Sequence, residues 1–161
     1  MNKYIGVKII SAEPAQATED DRRGQHPVGA EGYKVVYEDG YTSWSPKEVF
    51  DSAYRQTDGL TFGLAIEALK LGKKVARSGW NGKGMYLLYV PGTPDAKLQP
   101  GTPYYKNLPN DWASVEGENP VAEILPHIDM WTINAQGRRA FLPGWLASQS
   151  DMLADDWVIV D

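Results

Sequence analysis

The chain has 161 residues, no cysteine, and 21 Asp and Glu against 16 Lys and Arg, giving a formal charge of −5 at pH 7. That length fits one ordinary domain or two small ones, and the missing cysteine excludes disulfides, thiolate metal sites and a Cys nucleophile. The acidic balance argues against a general binder of DNA or RNA, and no apolar run reaches the roughly 18 residues of a membrane helix.

The first stretch, MNKYIGVKIISAEPA, is too briefly apolar for a signal peptide, so a soluble intracellular protein is expected. Tyr4–Ile10 predicts a short buried strand. The polar segment Glu13–Ala30, with Pro14, Gly24, Pro27 and Gly29, predicts an exposed loop. Tyr33–Tyr37 and Tyr41–Trp44 flank Asp39-Gly40, a hairpin signal. Ser45 is placed to cap a following helix, with Pro46 at its first position and Glu48 completing a capping box. Val49, Phe50, Ala53 and Tyr54 give that helix an apolar stripe. Residues 1–57 thus form one expected unit, joined to the next by the short polar piece Gln56-Thr57-Asp58-Gly59.

Thr61 is an N-cap candidate for a second helix carrying Phe62, Ala65, Ile66 and Leu69, and Gly72 is its stop. Lys74–Arg77 and Met85–Val90 predict strands on either side of the Gly-rich turn Ser78–Gly84. Pro91–Pro120 has six prolines and no period, and is expected to be a long loop. Ile128–Asn134 and Arg138–Leu142 predict a hairpin, Asp151–Ala154 a helical turn, and Trp157–Val160 a closing strand.

Catalytic chemistry is sparse. There are two histidines and no recognisable nucleotide-loop, hydrolase or metalloprotease motif. His127 and Asp129 alternate on one strand face and offer metal ligands or a proton shuttle, but a packed or solvated histidine explains them better. Asp151, Asp155 and Asp156 offer hard oxygens to a cation, or caps for a helical turn.

Two segments are richer. Trp80-Asn81-Gly82-Lys83-Gly84-Met85 combines a flat ring, a side-chain amide, glycines and a cation, which are the parts that hold a nucleobase and a phosphate. Equally, it is a β-turn whose Trp plugs a core. Pro143-Gly144-Trp145 followed by Ser148, Gln149 and Asp151 offers a second ring and hydrogen-bonding groups before a helical turn. The alternative there is a core Trp with Ser150 as the cap.

In this order, WNGKGM, PHIDM, PGWLAS and DMLADDW resemble the phage Thoeris anti-defence proteins of the second type, over Leu60–Asp161. Gly144 interrupts the family's usual Pro-Trp pair. The family fold is α+β. The resemblance therefore implies a small antiparallel β-sheet domain with one main helix over residues 60–161, and the residues themselves predict an N-terminal β-hairpin and helix unit over 1–57. It implies a sponge rather than an enzyme, acting in the cytoplasm of the infected host. The sponge would bind glycocyclic ADP-ribose made by Thoeris TIR proteins, and in some members the cyclic dinucleotides of CBASS. It would assemble as a homotetramer with pockets between protomers, and no cofactor, metal or catalytic residue is expected. By motif, Trp80 and Trp145 are the expected base-stacking rings. Asn81, Gly82, Lys83, Gly84 and Met85 line the same pocket, and Met130 covers a ring face. Ser148, Gln149 and Asp151 bond ribose or base edges. Arg138 and Arg139, with Arg77 and Lys83, are the candidate phosphate partners from chemistry alone. The competing expectations are an enzyme that degrades the signal with His127, Asp129 or the Asp cluster as acid or base, and a structural module whose Trp residues are core or interface anchors.

Overall fold

The computed structural model describes residue 1 and residues 7–21, 26–80, 84–109 and 120–160. The chain divides into two compact units, Met1–Leu60 and Thr61–Asp161. Among the described residues, no helix is long and apolar enough to cross a membrane.

In the first unit, strands β1 (Ser11–Gln16), β2 (Glu31–Val36) and β3 (Thr42–Pro46) form an antiparallel sheet in that order, followed by helix α1 (Lys47–Ala53). The Asp39-Gly40 hairpin is present: Gly40 has φ 83° and Asp39 Oδ1 accepts the Tyr41 N–H at 2.9 Å. Val35 is buried. Gly32 lies so close to the Ser45 carbonyl and the Trp44 indole that any Cβ there would collide with both. Trp44 crosses that gap to donate from Nε1 to the Ala15 carbonyl at 3.1 Å.

Two expectations fail here. The first strand is Ser11–Gln16, running into the segment Glu13–Ala30 expected to be loop, whereas residues 7–10 are not in a strand and 2–6 lie outside the described residues. β1 is an edge strand with five of its six residues exposed, held by its backbone, so apolar patterning does not reveal it and Pro14 is tolerated. The expected capping box is also absent. Ser45 and Pro46 are paired with Tyr33 and Gly32 in the sheet, so α1 starts at Lys47 with Pro46 as an N-cap that makes no side-chain bond. Only Phe50 and Tyr54 of its expected stripe are covered; Val49 and Ala53 are exposed.

The second unit is built on helix α2 (Phe62–Lys70) and a five-stranded antiparallel sheet. Its strands are β4 (Lys74–Arg77), β5 (Tyr86–Val90), β8 (His127–Ile133), β9 (Arg139–Leu142) and β10 (Trp157–Val160), in the order β10-β4-β5-β8-β9. Thr61 caps α2, its side chain accepting from Leu64 N–H. Gly72 stops the helix: its N–H reaches the Leu69 carbonyl and that of Lys73 the Ala68 carbonyl, at 2.9 and 3.0 Å, the paired closure that a left-handed residue permits. Opposed residues share a sheet face, so Val75, Leu87, Met130 and Leu142 form one row. Val75 and Leu87 are fully buried beneath Ala65, Ala68 and Leu69 of α2, Met130 is half-buried, and Leu142 is exposed. The helix therefore covers the β10–β4–β5 side. On the other face Tyr86, Trp131 and Phe141 form an aromatic row, with Lys74 Nζ 5.2 Å from the Tyr86 ring centre.

The expected long loop over residues 91–120 is instead partly ordered. Strand β6 (Thr93–Lys97) pairs with β7 (Val121–Ile124), with a register irregularity between Thr93 and Ala96, and a helical turn α3 (Pro103–Lys106) is capped by Thr102. Residues 110–119 lie outside the described residues. TPDAK is polar and contains a proline, so its pairing, like that of β1, rests on backbone bonds rather than on a pattern of side chains.

Candidate functional site

β9 and β10 are opposite edges of the sheet, so residues 143–156 must return across it, and the two Trp segments meet on this return. Its start is fixed to β8: Gly144 N–H donates to Asp129 Oδ1 at 3.1 Å and Trp145 N–H to the Ile128 carbonyl at 2.7 Å. Gly144 has φ 73°, a left-handed turn that other residues adopt at a cost. Helix α4 (Gln149–Met152) follows. Its cap is Ser148, not Ser150: the Ser148 side chain accepts from Asp151 N–H, and Asp151 bonds back to the Ser148 N–H.

Four rings converge. Trp157 is fully buried. Trp80 lies 5.5 Å and Trp145 6.1 Å from it between centroids, both edge-on at 75° and 80°. Phe62, from the first turn of α2, lies 5.5 Å from Trp157 and 6.5 Å from Trp145. Trp80, Trp145 and Phe62 are each half-exposed, so three ring walls stand on a buried fourth. A base sandwiched between two parallel rings needs about 7 Å between them, twice a carbon contact distance. Trp80 and Trp145 are 6.1 Å apart at 63°, which leaves no slot between them. A flat ligand would lie against the outward surfaces of this cradle.

Behind the rings sits a cluster of charges. Arg77, at the end of β4, donates from Nε to Asp156 Oδ1 at 2.8 Å and from Nη1 to Asp151 Oδ1 at 3.0 Å. Asp151 Oδ1 also accepts from Trp80 Nε1 at 3.4 Å, and the Asp151 carbonyl accepts from Trp157 Nε1 at 3.0 Å. The hydrogen bond from Arg77 holds the Asp156 carboxyl below its usual range. Burial works to raise Asp151, but hydrogen bonds from Ser148 and Arg77 outweigh it and leave that carboxyl lowered too. Arg77 is raised in turn, chiefly by Asp156.

Trp80 and Trp145 are therefore together, with Asp151 and Ser148 beside them. Gly84, with φ 69°, and Met85 precede β5, and Gln149 is exposed on α4. Asn81, Gly82 and Lys83 lie outside the described residues. Met130 is on the α2 face of the sheet. Arg138 and Arg139 are not brought to the cradle: they are exposed at the β8–β9 turn, and β9 is three strands from β4, roughly 14 Å at ordinary strand spacing. Arg77 faces two carboxylates, not a vacant anion position. His127 Nε2 and Asp129 Oδ1 are 3.5 Å apart, and Asp129 serves as the anchor of Gly144. No group of three His, Asp or Glu that could hold a metal occurs among the described residues.

Sequence reasoning missed Phe62 and Trp157 as members of the site. Phe62 was absorbed into the helical spacing of α2, and Trp157 into the apolar run WVIV. The spacing DDW, which sets a carboxylate directly before that ring, was the available signal.

Every ring and carboxylate of the cradle falls within residues 60–160, which match the profile of the Thoeris anti-defense 2-like domain. The chain is 35% identical over 101 residues to Thoeris anti-defense 2 of Bacillus phage SP01, a match covering 63% of this chain and 94% of that protein. The chain belongs to the Thoeris anti-defense 2-like family.

Proposed function

We propose that the protein is a phage anti-defence factor that captures a cyclic nucleotide immune signal in the host cytoplasm and leaves its bonds intact. Glycocyclic ADP-ribose is the first candidate ligand and a CBASS cyclic dinucleotide the second. The observation that carries this reading is the cradle of three half-exposed rings on buried Trp157. Such a surface offers a purine a stacking partner worth about 1–3 kcal/mol per base. Trapping a messenger at nanomolar concentration needs about −12 kcal/mol. Stacking falls short of that, so ribose and phosphate contacts and an enclosed pocket must supply the remainder.

Enclosure favours a pocket completed by another copy, and we assign the protein to a homotetramer. The uncovered row Tyr86–Trp131–Phe141, with Phe141 55% and Ile133 50% exposed, is the surface suited to that contact. A copy docked there also offers a route for Arg138 and Arg139 to reach a ligand on a neighbour. Capture rather than cleavage is favoured by the state of the acidic groups. Asp151 and Asp156 are engaged by Arg77 and held at lowered carboxyl pKa values, which leaves them poor general bases.

The test is to mix the protein with glycocyclic ADP-ribose, heat-denature it, and analyse what is released. Full recovery of intact nucleotide supports capture, and a new product would mean an enzyme. The double variant Trp80→Ala, Trp145→Ala is expected to lose at least tenfold in affinity. Unchanged capture in a folded double variant would overturn the cradle as the site.

A further inference from the structure

Turn 78–80 carries Trp80 out of β4, and Asp156 holds it from behind. Ser78 N–H donates to the Asp156 carbonyl at 3.0 Å and Gly79 N–H to Asp156 Oδ2 at 3.1 Å. Ser78 Oγ lies 3.4 Å from the same oxygen. Asp151 takes the polar edge of the indole itself. Two carboxylates facing one short turn would repel each other. Arg77 stands between them and satisfies both through different nitrogens, a two-pronged arrangement that a lysine ammonium cannot reproduce. Side-chain exposures of 20% for Arg77, 13% for Asp151 and 30% for Asp156 keep the cluster partly shielded from water. These three residues lie 74 and 79 positions apart in sequence, so the bonds tie two distant segments at the point where the rings meet.

We infer that the Arg77–Asp151–Asp156 cluster is a positioning device for Trp80. It fixes the turn and the indole edge so that the ring presents one preset face. A ring free to change rotamer would lose part of its stacking energy to ordering on binding; a preset ring does not. The ligand half of this inference rests on the proposed capture role, whereas the orientation of Trp80 is a property of the free protein.

Two readouts on the full chain test it. The first is the circular-dichroism couplet of the indoles, which are close enough to couple at 5.5–6.1 Å; Trp80→Phe supplies the spectrum without Trp80. The second is calorimetric affinity for glycocyclic ADP-ribose. Asp156→Ala is expected to move the couplet most of the way to that of Trp80→Phe and to weaken binding by about tenfold or more. Arg77→Lys, which keeps the charge but loses the fork, should fall between. If both variants keep the wild-type couplet and bind within about twofold of wild type, the cluster is only a staple, even if they melt earlier, and the inference is overturned. If Asp156→Ala does not fold, Asp156→Asn and Arg77→Lys decide by the same criteria. If the wild type itself ignores the nucleotide, the capture role fails, and the couplet alone decides the positioning.

Discussion

The two units each hold an aromatic cluster, packed in opposite ways. In the first, Tyr33, Phe50 and Tyr54 lie nearly parallel, at 4.1 and 4.8 Å and angles of 23° and 28°. Their faces cover one another and seal α1 onto the sheet. In the second, Trp80 and Trp145 stand edge-on to Trp157 at 75° and 80°. Edge-on contact satisfies the ring quadrupoles while covering little of the outer faces. The parallel set thus fastens a helix to a sheet, and the perpendicular set leaves half-exposed ring walls on buried Trp157. The bonding partners differ in the same sense. Lys47 lies near the Tyr33 ring at the surface, whereas Trp80 and Trp157 of the second unit are tied to Asp151 through their indole nitrogens.

The largest expected effect tests whether the two clusters are independent. Trp157→Ala removes a fully buried ring and should cost about 3–5 kcal/mol, lowering the melting of the second unit and abolishing capture. Phe50→Ala, at a half-buried position, should cost at most about 2 kcal/mol and leave nucleotide affinity within twofold. Thermal unfolding with titration of both variants measures the contrast. Lost capture in a folded Phe50→Ala protein would break the division of labour between the units.

Which parts of this were legible in the sequence follows from how far each bond reaches. The Thr61 cap, the Gly72 stop and the Asp39-Gly40 turn are decided by neighbours within four residues, and all three are found where the residues placed them. Strands β1 and β6 escaped because SAEPAQ and TPDAK carry no apolar alternation and pair chiefly through backbone bonds, with one exposed Glu13–Lys34 ion pair on β1. Ser45 was a sound cap by local chemistry, but the pull of the sheet on Tyr33 and Gly32 claimed it first. At the site, Trp80 and Trp145 stood out as rings in Gly-containing turns. The charge on Arg77 pointed to a phosphate, because its true partners lie more than 70 residues downstream, where a single sequence gives no pairing information.

A smaller effect sharpens the comparison at one glycine in each unit. Gly144→Ala forces a side chain into a left-handed conformation at φ 73°, at about 1–2 kcal/mol. Relief by turning the backbone would pull Gly144 N–H from Asp129 and swing Trp145 away from the cradle. Capture is therefore expected to fall more than stability. Gly32→Ala instead drives a methyl into the Trp44 ring and the Ser45 carbonyl, an overpacking cost of about 1–3 kcal/mol confined to the first unit. It should lower stability without touching affinity. Finding both variants equally impaired in capture would mean that the first unit shapes the site.

Acid should separate the units least, and in a definite direction. Asp156 and Asp151 have lowered carboxyl pKa values in the folded protein. Their contribution is complete above the unfolded value of about 3.9 and is lost as pH falls through the lower folded values, because the unfolded chain then binds more protons. In the first unit Asp51 is lowered by its hydrogen bond from Lys47, so it acts with the same sign. That pair is exposed, with side chains 51% and 44% accessible, and salt screens it. Amide exchange of each unit, followed from neutral pH into the acid range at low and high salt, should show an acid loss that salt largely removes in the first unit and only partly in the second. Arg77→Met should shrink the acid step of the second unit alone. A step that survives this substitution unchanged would mean that other carboxylates carry it, and that the charges behind Trp80 contribute no more than a surface pair.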